Sequence, residues 1–233
     1  MALPKIDSPI FMLDLPSTKE TIKYRPFTVK EEKILLIASQ SDEEKEITSA
    51  IEQIITNCAI SDVDLKKMTS YDIEYFFLQL RARSVNNIIN LSITDDVDGE
   101  VYEVEINLDE VLVPIDENRE FQIKLNSEIT LMMKDLSYDE IKKLTTMEDE
   151  EQLTQTVVNS IDQILVGDDE VLIMKEHTKK EQQDFIDSFS SKNMRDIEEF
   201  LSKTPKLSHN VTYTREDGTE VTKVLEGMQT FFT

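Results

Sequence analysis

Cysteine is nearly absent: Cys58 stands alone among 233 residues. One thiol excludes an internal disulfide and any zinc site built from several thiolates of one chain. Tryptophan is missing, and glycine occurs only at Gly99, Gly167, Gly218 and Gly227. These never cluster, which excludes a glycine-rich phosphate cradle. No apolar run is long enough to span a bilayer. The opening stretch MALPKIDSPIFMLDLP carries no charged-then-apolar leader pattern. Together these point to an expectation: work in a reducing cytoplasm, with no membrane segment. Basic residues are also short, 25 Lys and Arg against 48 Asp and Glu, for a formal charge of −23. Such a surface repels nucleic-acid phosphate and anionic lipid, so neither is expected as a partner. Proteins with basic patches fit better, and acidic DNA mimicry is the minor alternative.

Apolar residues make up 39% of the chain and are spread along it, as in a folded protein. Their pattern predicts an α+β fold. IFMLDLPSTKETIKYRPF gives two short strands around a Pro-Ser-Thr turn. Thr28 with Glu31, and Ser41 with Glu44, read as capping boxes that open two helices. The second helix carries Ile47, Ile51, Ile54, Ile55 and Cys58 at helical spacing, and a third from Ser70 carries Ile73, Phe76, Phe77 and Leu80. A hairpin from about Ile88 to Leu108 turns on Asp98-Gly99. The pattern then restarts. EFQIKLNSEITLMMKDL is a strand pair, and Ser137 with Glu140 caps a short helix. The helix after Glu148 is predicted to carry Leu153, Val157, Ile161, Ile164 and Leu165. A strand EVLIMKE, a helix capped by Thr178 and Glu181, and a helix with Met194, Ile197, Phe200 and Leu201 follow. A second Asp-Gly hairpin, HNVTYTREDGTEV, precedes the apolar tail GMQTFFT.

The restart reads as a tandem duplication. RPFTVKEEKIL matches KDLSYDEIKKL, IEQII matches IDQIL, DIEYFF matches DIEEFL, and the two hairpins follow in order. The predicted organisation is two similar halves, residues 1–112 and 113–233, with an insert around DDEVLIMKEHTKKEQQ in the second. Coincidence between helices of similar period is the plain alternative.

Catalytic machinery is not legible, and the chain is expected to be non-enzymatic, with no cofactor and no metal. His177 precedes the Thr178 cap and His209 starts a hairpin, and neither lies in a nucleophile-and-base motif. The run Asp95, Asp96, Asp98 and Glu100 invites a calcium loop, but Gly99 comes too early for one. The carboxylates at 148–152 suit a helix N-terminus. Cys58 on an apolar stripe suits a core. The candidate partner-binding residues are apolar and near the ends: Phe11, Met12, Met228, Phe231 and Phe232. For the last two, docking into the chain's own core is the competing reading.

LPSTKETIKYRPFTVKEEKILLIA, TSYDIEYFFLQLRARSV and the closing LEGMQTFF together resemble the baseplate hub assembly proteins of T-even-type contractile-tailed phages. The resemblance spans nearly the whole chain. It implies a late viral protein, made in the host cytoplasm, that promotes assembly of the baseplate hub. Implied partners are hub and tape-measure proteins, with self-association and residence in the virion tail baseplate left open. A permanent structural component of the hub is one rival, and a cell-wall hydrolase is another. The resemblance also implies zinc-ribbon-like hairpins with cysteine knuckles in relatives. Here those positions hold TDDVDGEV and TREDGTEV, so the hairpins lack the cysteines and the metal lacks its ligands. Added zinc is therefore expected to leave the Tm unchanged, and a zinc-dependent rise in a thermal melt would reveal ligands that the sequence does not show.

Overall fold

The computed structural model describes residues 6–38, 40, 44–167 and 169–231. Among these are seven helices and ten strands, an α+β mixture. β1 (Phe11–Asp14) and β2 (Thr21–Tyr24) form an antiparallel pair. α1 (Val29–Ala38), α2 (Glu44–Cys58) and α3 (Ser70–Ser84) follow. Their stripes bury Ile51, Ile54, Ile55 and Cys58 on α2, and Ile73, Phe76, Phe77 and Leu80 on α3. β3 (Ile88–Thr94) and β4 (Val101–Asn107) make the middle hairpin. The predicted Ser41 cap rests on a residue outside those described.

The next stretch contains β5 (Gln122–Lys124), β6 (Ile129–Met133), α4 (Tyr138–Leu144) and α5 (Asp149–Ser160). β7 (Ile161–Val166) and β8 (Glu170–Ile173) complete a four-stranded antiparallel sheet in the order β5-β6-β7-β8. α6 (Lys179–Asp187), α7 (Ser191–Ser202), β9 (Ser208–Thr214) and β10 (Glu220–Glu226) follow. A 3-10 turn, Met228–Phe231, is the last described element.

One predicted element is corrected. The helix expected to run through Ile161, Ile164 and Leu165 stops at Ser160, and those residues form β7. The cause is a bulge: the register passes from Met132 opposite Gln163 to Met133 opposite Ile161, leaving Asp162 over. The extra residue lets Ile161 and Ile164, three apart, both face the core at 0% and 5% exposure. A bulged strand thus imitates the three-residue spacing of a helix. The matched blocks IEQII and IDQIL are accordingly a helix in one case and a strand in the other.

Two compact units form, and they divide the chain differently from the halves 1–112 and 113–233. One holds Met1–Leu65, Tyr71–Ile115 and Lys206–Thr233, and the other holds Lys66–Ser70 and Asp116–Pro205. The closing hairpin joins the first unit because its apolar face needs a partner. Val211, Tyr213 and Leu225 share a core with Leu91, Ile93, Val104 and Ile106 of the middle hairpin. The second unit has its own core, in which Leu131, Val157, Ile161, Ile197 and Phe200 meet.

One local arrangement recurs in the two units. In α1, the buried Glu31 accepts from the Thr28 backbone N–H at 2.9 Å and pairs with Arg25 at 3.1 Å. In α4, Glu140 accepts from the Ser137 backbone N–H at 2.8 Å and pairs with Lys134 at 2.8 Å. In both helices the cation lies six residues before a glutamate that accepts from the backbone N–H three residues before it. Burial works against ionising Glu31, but the Arg25 and Thr28 hydrogen bonds outweigh it and bring its pKa to about 2. Glu140 is likewise opposed by burial, and hydrogen bonds from Lys134, Lys175 and Ser137 bring it to about 2. Both folded-state values lie below the ordinary 4.5. Their contribution is therefore complete above about pH 4.5 and is lost as pH falls towards about 2, by up to about 3 kcal/mol per carboxylate. Urea unfolding between pH 5 and pH 2.5 should show this loss, and Glu31→Gln with Glu140→Gln should flatten the dependence.

Candidate functional site

The first strand pair presents two unlike faces. Cross-strand register sets Met12 opposite Lys23 and Leu13 opposite Ile22. Leu13, Ile22 and Tyr24 are buried, and Phe11 packs 5.8 Å from the Tyr24 ring. The Arg83 guanidinium lies 5.8 Å from the Phe11 ring. Met12 and Lys23 face the other way, by strand alternation. The chain adds a third rung there: Tyr24 bridges Ala59, and the Ile60 N–H donates to the Lys23 carbonyl at 2.8 Å. The outer face consequently carries Ile10, Met12 and Ile60 at 61%, 68% and 51% exposure, around Lys23. Among these, Met12 is a sequence-predicted site residue, whereas Ile10 and Ile60 are not legible as exposed from local pattern.

The candidate residues at the other end behave differently. Phe231 is 1% exposed and Met228 packs on the same core, which also holds Leu78, Leu108 and Leu207. The Glu74 carboxylate accepts a hydrogen bond from the Met228 N–H, and burial raises its pKa. The Gly227 N–H donates to the Leu207 carbonyl at 2.8 Å, with Gly227 at a φ of 78° that favours glycine. For Phe231 the structure places the ring inside its own unit. Burying such a side chain is worth roughly 2–3 kcal/mol. Phe232 lies outside the described residues.

The two hairpin tips meet in a polar clip. Asp95 and Arg215 occupy equivalent positions, each the first residue of its turn: their N–H groups bond to Glu100 and Thr219 respectively, each at 2.9 Å. Asp95, 2% exposed, accepts from the Tyr213 hydroxyl at 2.6 Å. It also accepts from Arg215 Nε at 3.0 Å and Nη2 at 3.1 Å. Its own turn adds the Val97 N–H at 2.8 Å. Tyr213 and Arg215 hold the Asp95 carboxyl well below the usual carboxylate range. The same hydrogen bond to Asp95 pushes the Tyr213 hydroxyl up to about 12. The Tyr102 and Tyr213 rings stack at 4.7 Å, and Lys223 Nζ reaches Asp96 at 3.2 Å. Opposite charges at aligned turn positions were the available sequence signal for this pair.

This clip does not fit the zinc ion implied for relatives. A guanidinium stands at the matching position of the second hairpin, and Asp95 already spends both oxygens on it. Among the described residues, no group of three or more His, Cys, Asp or Glu side chains is placed to hold a metal ion. His177 follows a 3-10 turn, Met174–Glu176, and His209 lies in β9 opposite Leu225. Cys58 is fully buried, and burial pushes its thiol up to about 11, which leaves it a packing residue. No helix among the described residues is long and apolar enough to cross a membrane.

The sequence profile of a family described as T4 bacteriophage base plate protein matches residues 8–233. No curated protein and no solved structure matches the chain.

Removing the charge at the clip tests its contribution. Asp95→Asn should lower the Tm and speed amide exchange along β9 and β10. Arg215→Gln added to it should cost little more, because the partner is already lost. An unchanged Tm in Asp95→Asn would show that the hairpins do not depend on the clip.

Proposed function

The chain belongs to the T4 bacteriophage base plate protein family, and on that premise we propose that it is a tail baseplate assembly factor that binds hub proteins through an apolar surface. A baseplate protein works among other baseplate components. The observation that carries the finer reading is the outer face of β1, with Ile10, Met12 and Ile60 exposed together. Three exposed apolar side chains grouped around Lys23 on a chain of charge −23 are a place for a protein partner, since the surrounding carboxylates keep copies of this chain apart. The role is binding rather than chemistry. It is to hold hub or tape-measure proteins ready for assembly in the host cytoplasm.

The test uses tagged chain recovered from infected cells, with mass spectrometry of what co-purifies. Met12→Asp combined with Ile60→Asp should remove the captured baseplate proteins and leave stability within about 0.5 kcal/mol, because both side chains are exposed. Identical capture by wild type and variant would defeat the role given to this face. Quantifying the chain in purified virions separates the two roles: stoichiometric presence would favour a permanent structural component.

A further inference from the structure

The ladders of the two hairpins leave a row of backbone groups without a backbone partner among the described residues. In the middle hairpin the Asp95 N–H bonds to Glu100 at 2.9 Å and the Leu108 N–H to Asn87 at 2.7 Å. Alternation from these bonds directs residues 102, 104 and 106 towards β3, and Glu103 and Glu105 away from it. In the closing hairpin, Arg215 bonds to Thr219 and Gly227 to Leu207. By the same parity Asn210 and Thr212 direct their backbone groups away from β10. Among the described residues, no backbone bond outside the hairpins reaches these four.

Ser208 has the same outward parity, and the chain itself already uses it. The Leu112 N–H donates to Ser208 at 3.2 Å, and the Ser208 N–H to Leu112 at 2.8 Å. Strand addition to β9 thus begins at one residue and stops, because the 3-10 turn Leu108–Glu110 carries β4 off the ladder. At the far end the Tyr102–Tyr213 stack and the Asp95–Arg215 pair hold the tips together. Between these closures lies an open cavity of about 380 Å³, lined by successive residues 102–105 and 209–214. A lining of consecutive residues is a backbone edge, not a side-chain face.

We propose that this slot takes an extended, basic segment of a protein partner, which adds as a strand to the free edge of β9. The backbone groups of Asn210 and Thr212 supply the ladder bonds, and Glu105 on the opposite wall receives a Lys or Arg side chain, Glu103 already accepting from the Ser92 hydroxyl at 2.6 Å. No Lys or Arg lines the slot, and the charge of −23 makes a second copy of this chain a poor occupant. The inference rests on the reading of the chain as a partner-binding assembly factor, and it adds a recognition mode and a partner chemistry separate from the apolar face of β1.

The test titrates the full chain with a seven-residue peptide alternating Val and Lys, against a control alternating Val and Glu, read by amide chemical shifts. The Lys peptide should shift Asn210 and Thr212, and the Glu peptide should not. Thr212→Pro removes an outward N–H that its own hairpin does not use, so the fold should persist while affinity falls at least tenfold. Glu105→Lys should weaken binding at least tenfold as well. Unchanged affinity in Thr212→Pro, shifts confined to other strands, or a dimer of the free chain that Thr212→Pro abolishes would each overturn the proposal. If the tagged Thr212→Pro chain captures the same baseplate proteins as wild type, the slot fails and the assembly reading stands. If wild type captures none, the assembly reading fails and the peptide titration still decides the slot.

Discussion

A two-stranded ribbon has one face that must leave water and no second layer of its own to cover it. The first compact unit depends on how its two long hairpins meet that constraint. Each turns its alternating apolar residues on the other, with Leu91, Ile93, Val104 and Ile106 against Val211, Tyr213 and Leu225. Once the faces meet, the tips are brought together as well, and the Asp95 carboxylate becomes buried. A buried charge without a partner is costly, so the position aligned with it in the other turn carries Arg215, and Tyr213 supplies a third donor. The clip is therefore a consequence of the packing as much as a cause of it. Beyond the Leu112–Ser208 bridge, the same packing leaves the outer backbone groups of Glu103, Glu105, Asn210 and Thr212 without a backbone partner among the described residues, since each hairpin uses only one side of its ladder on itself.

The buried glutamates of α1 and α4 follow the same logic at smaller scale. Each is a buried carboxylate that reaches back to its own helix cap, and burial alone would favour its neutral form. Arg25 answers this at α1 with donors to Glu31 and to the Asn57 carbonyl. At α4 Lys134 is joined by Lys175, which arrives from the 3-10 turn Met174–Glu176. The two sites share the carboxylate and the cation six residues before it, and differ in what completes the shell.

Much of this was readable from residue order. Asp-Gly turns flanked by alternating apolar residues located both hairpins, and the Ser/Thr-x-x-Glu patterns located the starts of α1, α4 and α6. β7 was not readable, because its bulge spaces Ile161 and Ile164 as a helix would. The Asp95–Arg215 pair, 120 residues apart, needed the alignment of two turns to be suspected. Of the candidate residues, Met12 is exposed and Phe231 is buried, although both sit in short apolar runs near an end. A single-residue pattern does not distinguish them. Strand register decides the first, and the docking of the Met228–Phe231 turn beside Glu74 decides the second.

The grouping of Lys206–Thr233 with the first unit has a consequence for the order of events during synthesis. The second unit possesses all of its residues once Pro205 has been made. The first unit, begun earlier, still lacks Leu207, Val211, Tyr213, Leu225 and Phe231 at that moment. Its middle hairpin must wait with Leu91, Ile93, Val104 and Ile106 uncovered while roughly a hundred further residues are added, which takes on the order of five to twenty seconds at about 5–20 residues per second. The portion of the protein that starts first finishes last, and through that interval a net charge of −23 in the full chain acts against association.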